Sequence, residues 1–85
     1  MYWVYIIKSR KYQQLYFGYT KNLAQRLKEH NSGKTTSTKR YMPWKIVYIE
    51  GYANKEDAKD REDKFKQFGK VYSQLKRRIK RSLLS

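Results

Sequence analysis

The run Tyr2-Trp3-Val4-Tyr5-Ile6-Ile7 leaves the chain few options, because both of its alternating sets of residues are apolar or aromatic. In an extended strand, Trp3, Tyr5 and Ile7 point to one side and Tyr2, Val4 and Ile6 to the other, so both faces need cover. Tyr2–Lys8 therefore reads as a central strand. Leu15–Thr20 resumes the strand pattern after the short polar stretch Ser9–Gln14, which predicts a hairpin that sets Tyr5 and Tyr16 on neighbouring strands. Pro43 opens a third strand, Trp44–Glu50, where Trp44, Ile46 and Tyr48 alternate with Lys45, Val47 and Ile49.

In Tyr16-Phe17-Gly18-Tyr19-Thr20, aromatic residues flank a glycine at a strand end, where a missing side chain lets another group approach the backbone closely. A helix follows: Asn22 can cap its first turn, Leu23 and Leu27 repeat at helical spacing, and Gly33 supplies a left-handed stop. Arg26 and His30 lie one turn apart on one face, beside the Leu23/Leu27 stripe. The stretch Asn31–Met42 is a polar, basic loop carrying Lys34, Lys39 and Arg40. Its Gly33-Lys34-Thr35 resembles half a phosphate-binding loop, but Lys28 stands where another glycine is required and the loop follows a helix, so nucleotide binding is rejected.

After a turn at Gly51–Ala53, Asn54 caps a second helix whose Glu56 and Asp57 suit the positive end of its dipole, and Gly69 is expected to end it. Ala58, Phe65 and Phe68 form its buried stripe, and Glu62 sits at the edge of the core-facing side. A carboxylate there needs a partner: a metal, another cation, or simply Arg61 or Lys66. From Lys64 onward eight Lys/Arg occur with no acid, and Tyr72, Leu75 and Ile79 share a helical face. The expected fold is α+β: a small, mostly antiparallel three-stranded sheet flanked by helices, in the order β-β-α-β-α plus a C-terminal helix. Residues 1–70 make the domain and 71–85 a basic amphipathic tail.

At 85 residues one compact core is the limit, burying roughly 60–65% of the unfolded surface. Without cysteine there are no disulfides or thiolate metal sites, and no apolar run approaches the ~20 residues that span a bilayer. Met1–Ile7 lacks the basic segment and cleavage site of a signal peptide, so a cytoplasmic protein is expected. The net charge of +14, with nine tyrosines and two tryptophans, points to nucleic acid as the partner. A merely soluble basic surface is the competing reading. Lys76, Arg77, Arg78, Lys80 and Arg81 can face a phosphate backbone, although an amphipathic basic tail also suits a membrane surface or a protein partner.

Together these residues resemble the GIY-YIG endonuclease superfamily, in particular its small stand-alone members similar to the incision domain of bacterial nucleotide excision repair. The first signature corresponds to Trp3-Val4-Tyr5 and the second to Tyr16-Phe17-Gly18. Thr20, the helix with Arg26 and His30, Asn31-Ser32-Gly33 and the later Glu62 follow in the family's order. Trp3 and Val4 replace the first glycine and isoleucine, and Phe17 the second isoleucine. These are packing substitutions, since the residues implied in the chemistry remain.

The resemblance implies phosphodiester hydrolysis with one divalent metal, Mg²⁺ or Mn²⁺. Glu62 is then the metal ligand, as suits a small octahedral ion that keeps most of its waters. Arg26 stabilises charge developing on the phosphate. Tyr5 takes a proton from the attacking water, with Arg26, His30 or the metal favouring its phenolate. Tyr16 and His30 position the phenol or the water, and Gly18 and Thr20 support them. Each residue also has a structural reading: Tyr5 and Tyr16 as strand residues of the core, His30 at a helix end, Arg26 paired with Glu29, Glu62 salt-bridged. The expected function is cleavage of nucleic acid, with structured or damaged DNA favoured over RNA, without strong sequence specificity. Other repair proteins are candidate partners, and a catalytically silent DNA- or RNA-binding module is the alternative.

Overall fold

The computed structural model describes Met1–Gln67 and Gly69–Ser85. The strands β1 (Tyr2–Ser9), β2 (Leu15–Thr20) and β3 (Trp44–Tyr52) form one antiparallel sheet in the order β2-β1-β3. The doubly apolar strand is therefore central. Val4, Ile6 and Ile7 have no exposed surface, and full burial of such side chains is worth about 1.5–3 kcal/mol each.

Each face has its own core. On one, Val4 and Ile6 meet Ala58, Phe65 and Leu75, with Phe17, Val71 and Ile79 packed around them. On the other, Tyr5, Ile7 and Trp44 meet Leu23, Leu27, Tyr16 and Tyr41. The first face is covered by α2 (Lys55–Gln67) and α3 (Gly69–Arg78), the second by α1 (Leu23–Asn31) and a short 3₁₀ turn at Lys39–Tyr41. A bulge interrupts the β1–β3 ladder, where Ile6 faces Tyr48 but Ile7 faces Ile46. The extra residue, Val47, joins Tyr48 on the α2 face, so β3 does not alternate evenly.

The α1 helix begins and ends where its sequence predicts. The Asn22 side chain accepts the Gln25 N–H, and the Lys34 N–H reaches back to the Glu29 carbonyl around Gly33, whose φ is +80°. Asn31 then clips the helix to β3: its side chain accepts the Trp44 N–H (2.5 Å) and donates to the Trp44 carbonyl (3.0 Å). That clip fixes the height of Arg26 and His30 over the sheet.

The α2 helix is capped by Asn54, whose side chain accepts the Glu56 N–H at 2.7 Å. Its end differs from expectation. Helix is described over Lys55–Gln67 and again from Gly69 (α3), so this glycine lies within helix rather than stopping one. Phe68 lies outside the described residues. The tail forms α3 and a short α4 (Lys80–Leu84), and Leu75 is a buried member of the main core. No helix among the described residues is long and apolar enough to cross a membrane.

Candidate active site

Tyr5 lies opposite Gly18 in the β1–β2 ladder, and its ring folds across that glycine. A Cβ at Gly18 would stand 2.4 Å from the Tyr5 hydroxyl, so only glycine admits this close approach. Beyond it sits His30, fully buried in the last turn of α1. Its Nε2 is 2.9 Å from the Tyr5 hydroxyl and its Nδ1 is 2.8 Å from Thr38 Oγ1. The single hydrogen of the Thr38 hydroxyl is donated to the Thr35 carbonyl at 3.4 Å. With the Thr38 hydrogen so placed, the consistent tautomer carries the ring proton on Nδ1, donating to Thr38, and accepts from Tyr5 at Nε2.

Tyr16, two residues from Gly18 on β2, rests edge-on against His30 with ring centres 5.0 Å apart. Arg26, one turn before His30, is half-buried and holds Glu29 at 3.0 Å. Thr20 shapes the approach to α1, its Oγ1 accepting the Asn22 N–H at 3.1 Å. Glu62 comes from α2, and the stacking of Phe65 on Phe17 at 5.8 Å holds that helix against β2. Its buried carboxylate pairs with the Lys66 ammonium, which in turn lies 5.9 Å from the Tyr16 ring centre. Tyr5, Tyr16, Arg26 and His30 thus form one connected cluster, and Lys66 bridges it to Glu62.

Burial pushes the Tyr5 phenol up to about 12, against the pull of the Arg26 guanidinium and with small pushes from Tyr16 and Glu62. The expectation that the neighbours favour the phenolate is not met, because desolvation outweighs the cation. Burial, then the positive charge of Arg26, lowers His30 from its ordinary 6.5 against the opposing pull of Glu29, so the imidazole is neutral at pH 7. In the tautomer assigned above, a protonated phenol meets an unprotonated nitrogen.

Among the described residues no three His, Cys, Asp or Glu side chains come together as a metal cage. Both His30 nitrogens are already engaged. The candidate ligand is the buried Glu62, and a single carboxylate fits an ion such as Mg²⁺ that retains water and takes its other ligands from a phosphate.

All eight cations expected to meet nucleic acid are exposed. They fall into two sets. Lys34, Lys39 and Arg40 belong to the loop packed by Tyr41 and Met42 on the α1 face. Lys76, Arg77, Arg78, Lys80 and Arg81 belong to the tail packed by Leu75 and Ile79 on the α2 face. Sequence reasoning missed Thr38, which is fully buried behind His30. Nothing distinguishes it within a loop rich in Ser and Thr. Lys66 was one of several partners open to Glu62, and its i+4 spacing is the signal that selects it.

Residues 1–73 match the model of the GIY-YIG catalytic domain. The chain belongs to the GIY-YIG family. Its relatives include a UPF0213 protein of Oceanobacillus iheyensis, 39% identical over 66 residues that cover 76% of each chain. Another, from Clostridium perfringens, is 43% identical over 63 residues, 73% of this chain and 67% of its own. The solution NMR structure of a UPF0213 protein from Bacillus halodurans superposes with a TM-score of 0.54 at 31% identity, covering 88% of this chain and 82% of that one. A GIY-YIG domain is a nuclease fold, which implies nucleic-acid binding, and GIY-YIG nucleases generally use divalent metals. The two GIY-YIG signatures, Trp3-Val4-Tyr5 and Tyr16-Phe17-Gly18, lie side by side as β1 and β2.

Proposed function

We propose that the protein is a metal-dependent endonuclease that hydrolyses phosphodiester bonds in structured or damaged DNA without strong sequence specificity. The observation carrying this reading is the contact of the Tyr5 hydroxyl with His30 Nε2, at 2.9 Å, next to Arg26, with Lys66 linking Tyr16 to Glu62.

Glu62 is the residue that would hold Mg²⁺ or Mn²⁺, which when bound supplies Lewis-acid stabilisation of the charge on the scissile phosphate. Arg26 offers its planar fork to the phosphate oxygens. As water attacks phosphorus, its proton passes to the Tyr5 oxygen while the Tyr5 proton passes to His30 Nε2. One P–O bond forms, the other breaks, and the departing oxygen takes its proton from solvent. With the Tyr5 phenol near 12 a standing phenolate is unfavourable at neutral pH, and concerted transfer never requires one. Thr38 fixes the imidazole tautomer that makes the transfer possible. Tyr16 packs His30 in place.

A panel of nicked, flapped and branched DNA, with matched RNA, tests the reading in Mg²⁺ and in Mn²⁺. Cleavage of at least one substrate is expected, and Glu62→Gln should bind the same substrate with unchanged affinity while cutting it at least a hundredfold more slowly, within the range over which one charge-stabilising group acts. Full activity in Glu62→Gln removes the metal assignment. Binding without cleavage by the wild type leaves a silent nucleic-acid-binding module.

A further inference from the structure

On α2, the Glu62 carboxylate is almost enclosed, its side chain keeping 10% of its exposure, while its partner Lys66 keeps 48%. Among the described residues, Lys66 is the one hydrogen-bonding or ionic partner this carboxylate has. The other two acid–base pairs among the described residues are differently built. Glu50 is held by both nitrogen branches of Arg61 and by two tyrosine hydroxyls. Glu29 lies on the open side of α1 beside Arg26.

A lysine ammonium is a compact point charge on a flexible stem, and a half-exposed one gives up an ion pair at little cost. Lys66 approaches Glu62 from the solvent side, with its ammonium also near the face of Tyr16. Once a divalent cation holds the carboxylate, Lys66 is repelled from it, and the next anion within reach on the Tyr16 side is the phosphate of the strand being cut.

We propose that Lys66 is a transferable counter-ion, neutralising Glu62 while no metal is bound and moving to the substrate phosphate when Glu62 takes one. This rests on the reading of Glu62 as the metal ligand. Lys66 thereby opposes metal loading in the absence of nucleic acid and becomes a substrate contact in its presence. Metal and DNA binding are coupled through one side chain.

The test needs no turnover. Free Mn²⁺ is measured by electron paramagnetic resonance in titrations of wild type, Lys66→Met, Glu62→Gln and the double variant, all without DNA. Lys66 is exposed enough for methionine to be accommodated without refolding the helix. Lys66→Met is expected to bind Mn²⁺ about two- to fivefold more tightly, the equilibrium equivalent of one surface ion pair, and the substitution should have no effect in the Glu62→Gln background. In fluorescence-anisotropy binding of an uncleavable phosphorothioate duplex, Lys66→Met should weaken affinity in Mg²⁺ but not in EDTA. Unchanged or weaker Mn²⁺ binding by Lys66→Met, or an equal loss of DNA affinity with and without metal, overturns the proposal while leaving Glu62 as ligand. Mn²⁺ binding by Glu62→Gln equal to wild type overturns the metal assignment and this proposal with it.

Discussion

Tyr5 is the residue on which the chemistry turns, and its surroundings separate it from Tyr16 in a way that strand position cannot. Its hydroxyl is hydrogen-bonded to a histidine nitrogen, whereas Tyr16 meets the same ring by packing. Tyr5→Phe should therefore slow single-turnover cleavage by ~10²–10⁴-fold, the usual worth of general base catalysis. Tyr16→Phe should cost about tenfold or less, since a neutral hydrogen bond is worth ~0.5–1.5 kcal/mol. DNA affinity should stay near wild type in both, and a larger loss at Tyr16 would reverse the assignment. The pH profile follows from His30. Its folded value lies below 6.5 and the acceptor is its unprotonated form, so cleavage should be flat above neutrality and fall as acid titrates the imidazole. Stability moves the same way: below 6.5 the unfolded chain takes up a proton that the folded one refuses, so stability falls with pH until the folded value is passed. A rate that keeps climbing toward pH 10 would instead indicate a standing phenolate. Gly18 was legible in the sequence as a place of close approach. The approaching group proves to be the Tyr5 ring of the same domain. Thr38 was not legible, because a hydroxyl becomes a tautomer lock only once a loop has folded over it.

The strands and the caps of α1 followed from local pattern, since alternation, Asn22 and Gly33 each act within a few residues of themselves. The helical state of Gly69 did not. A glycine is a usual stop, yet here it lies within helix, at the head of the described α3 residues. What holds α2 in place is equally non-local: Arg61 donates to both Glu50 oxygens at 2.9 and 3.1 Å, and Tyr48 and Tyr52 donate to the same carboxylate at 2.5 and 2.7 Å. Glu62 follows Arg61 in sequence, so this network sets the depth at which its carboxylate enters the site. Burial raises Glu50, but the hydrogen bonds from Arg61, Tyr48 and Tyr52 outweigh it and hold it below its ordinary 4.5. Stability from this pair is thus present above 4.5 and lost as pH falls through the lower folded value. Glu50→Ala strands three partly buried donors and should destabilise the fold by about 1–3 kcal/mol in denaturant titration. An unchanged midpoint would show that packing alone positions α2.

Across the whole molecule, charge and core cannot be separated by cutting the chain, because the helix that carries the tail cations also contributes Leu75 to the main core. A truncation at Val71 would expose that core. The charge itself can be removed where it stands: Lys76, Arg77, Arg78, Lys80 and Arg81 are all exposed, and glutamine at all five should leave the fold intact. The slope of log affinity against log salt on duplex DNA should then flatten, by up to about 0.9 for each phosphate no longer neutralised. An unchanged slope would assign the tail to another partner. Their number was plain from the sequence, but their division between two faces of the sheet was not, since it depends on where the α1 loop and α3 pack.

The bulge at Val47 carries a benefit unrelated to DNA. With Trp44–Tyr52 outermost on its side of the sheet, nine residues of backbone and the exposed Ile46 and Ile49 form a template on which a foreign strand could grow. An even, flat ladder there would invite amyloid-like stacking. The extra residue breaks the repeat spacing such stacking needs, and the neighbouring Lys45 adds an edge charge that resists self-templating. A protein built to cut strands of one polymer is thereby kept from recruiting strands of its own.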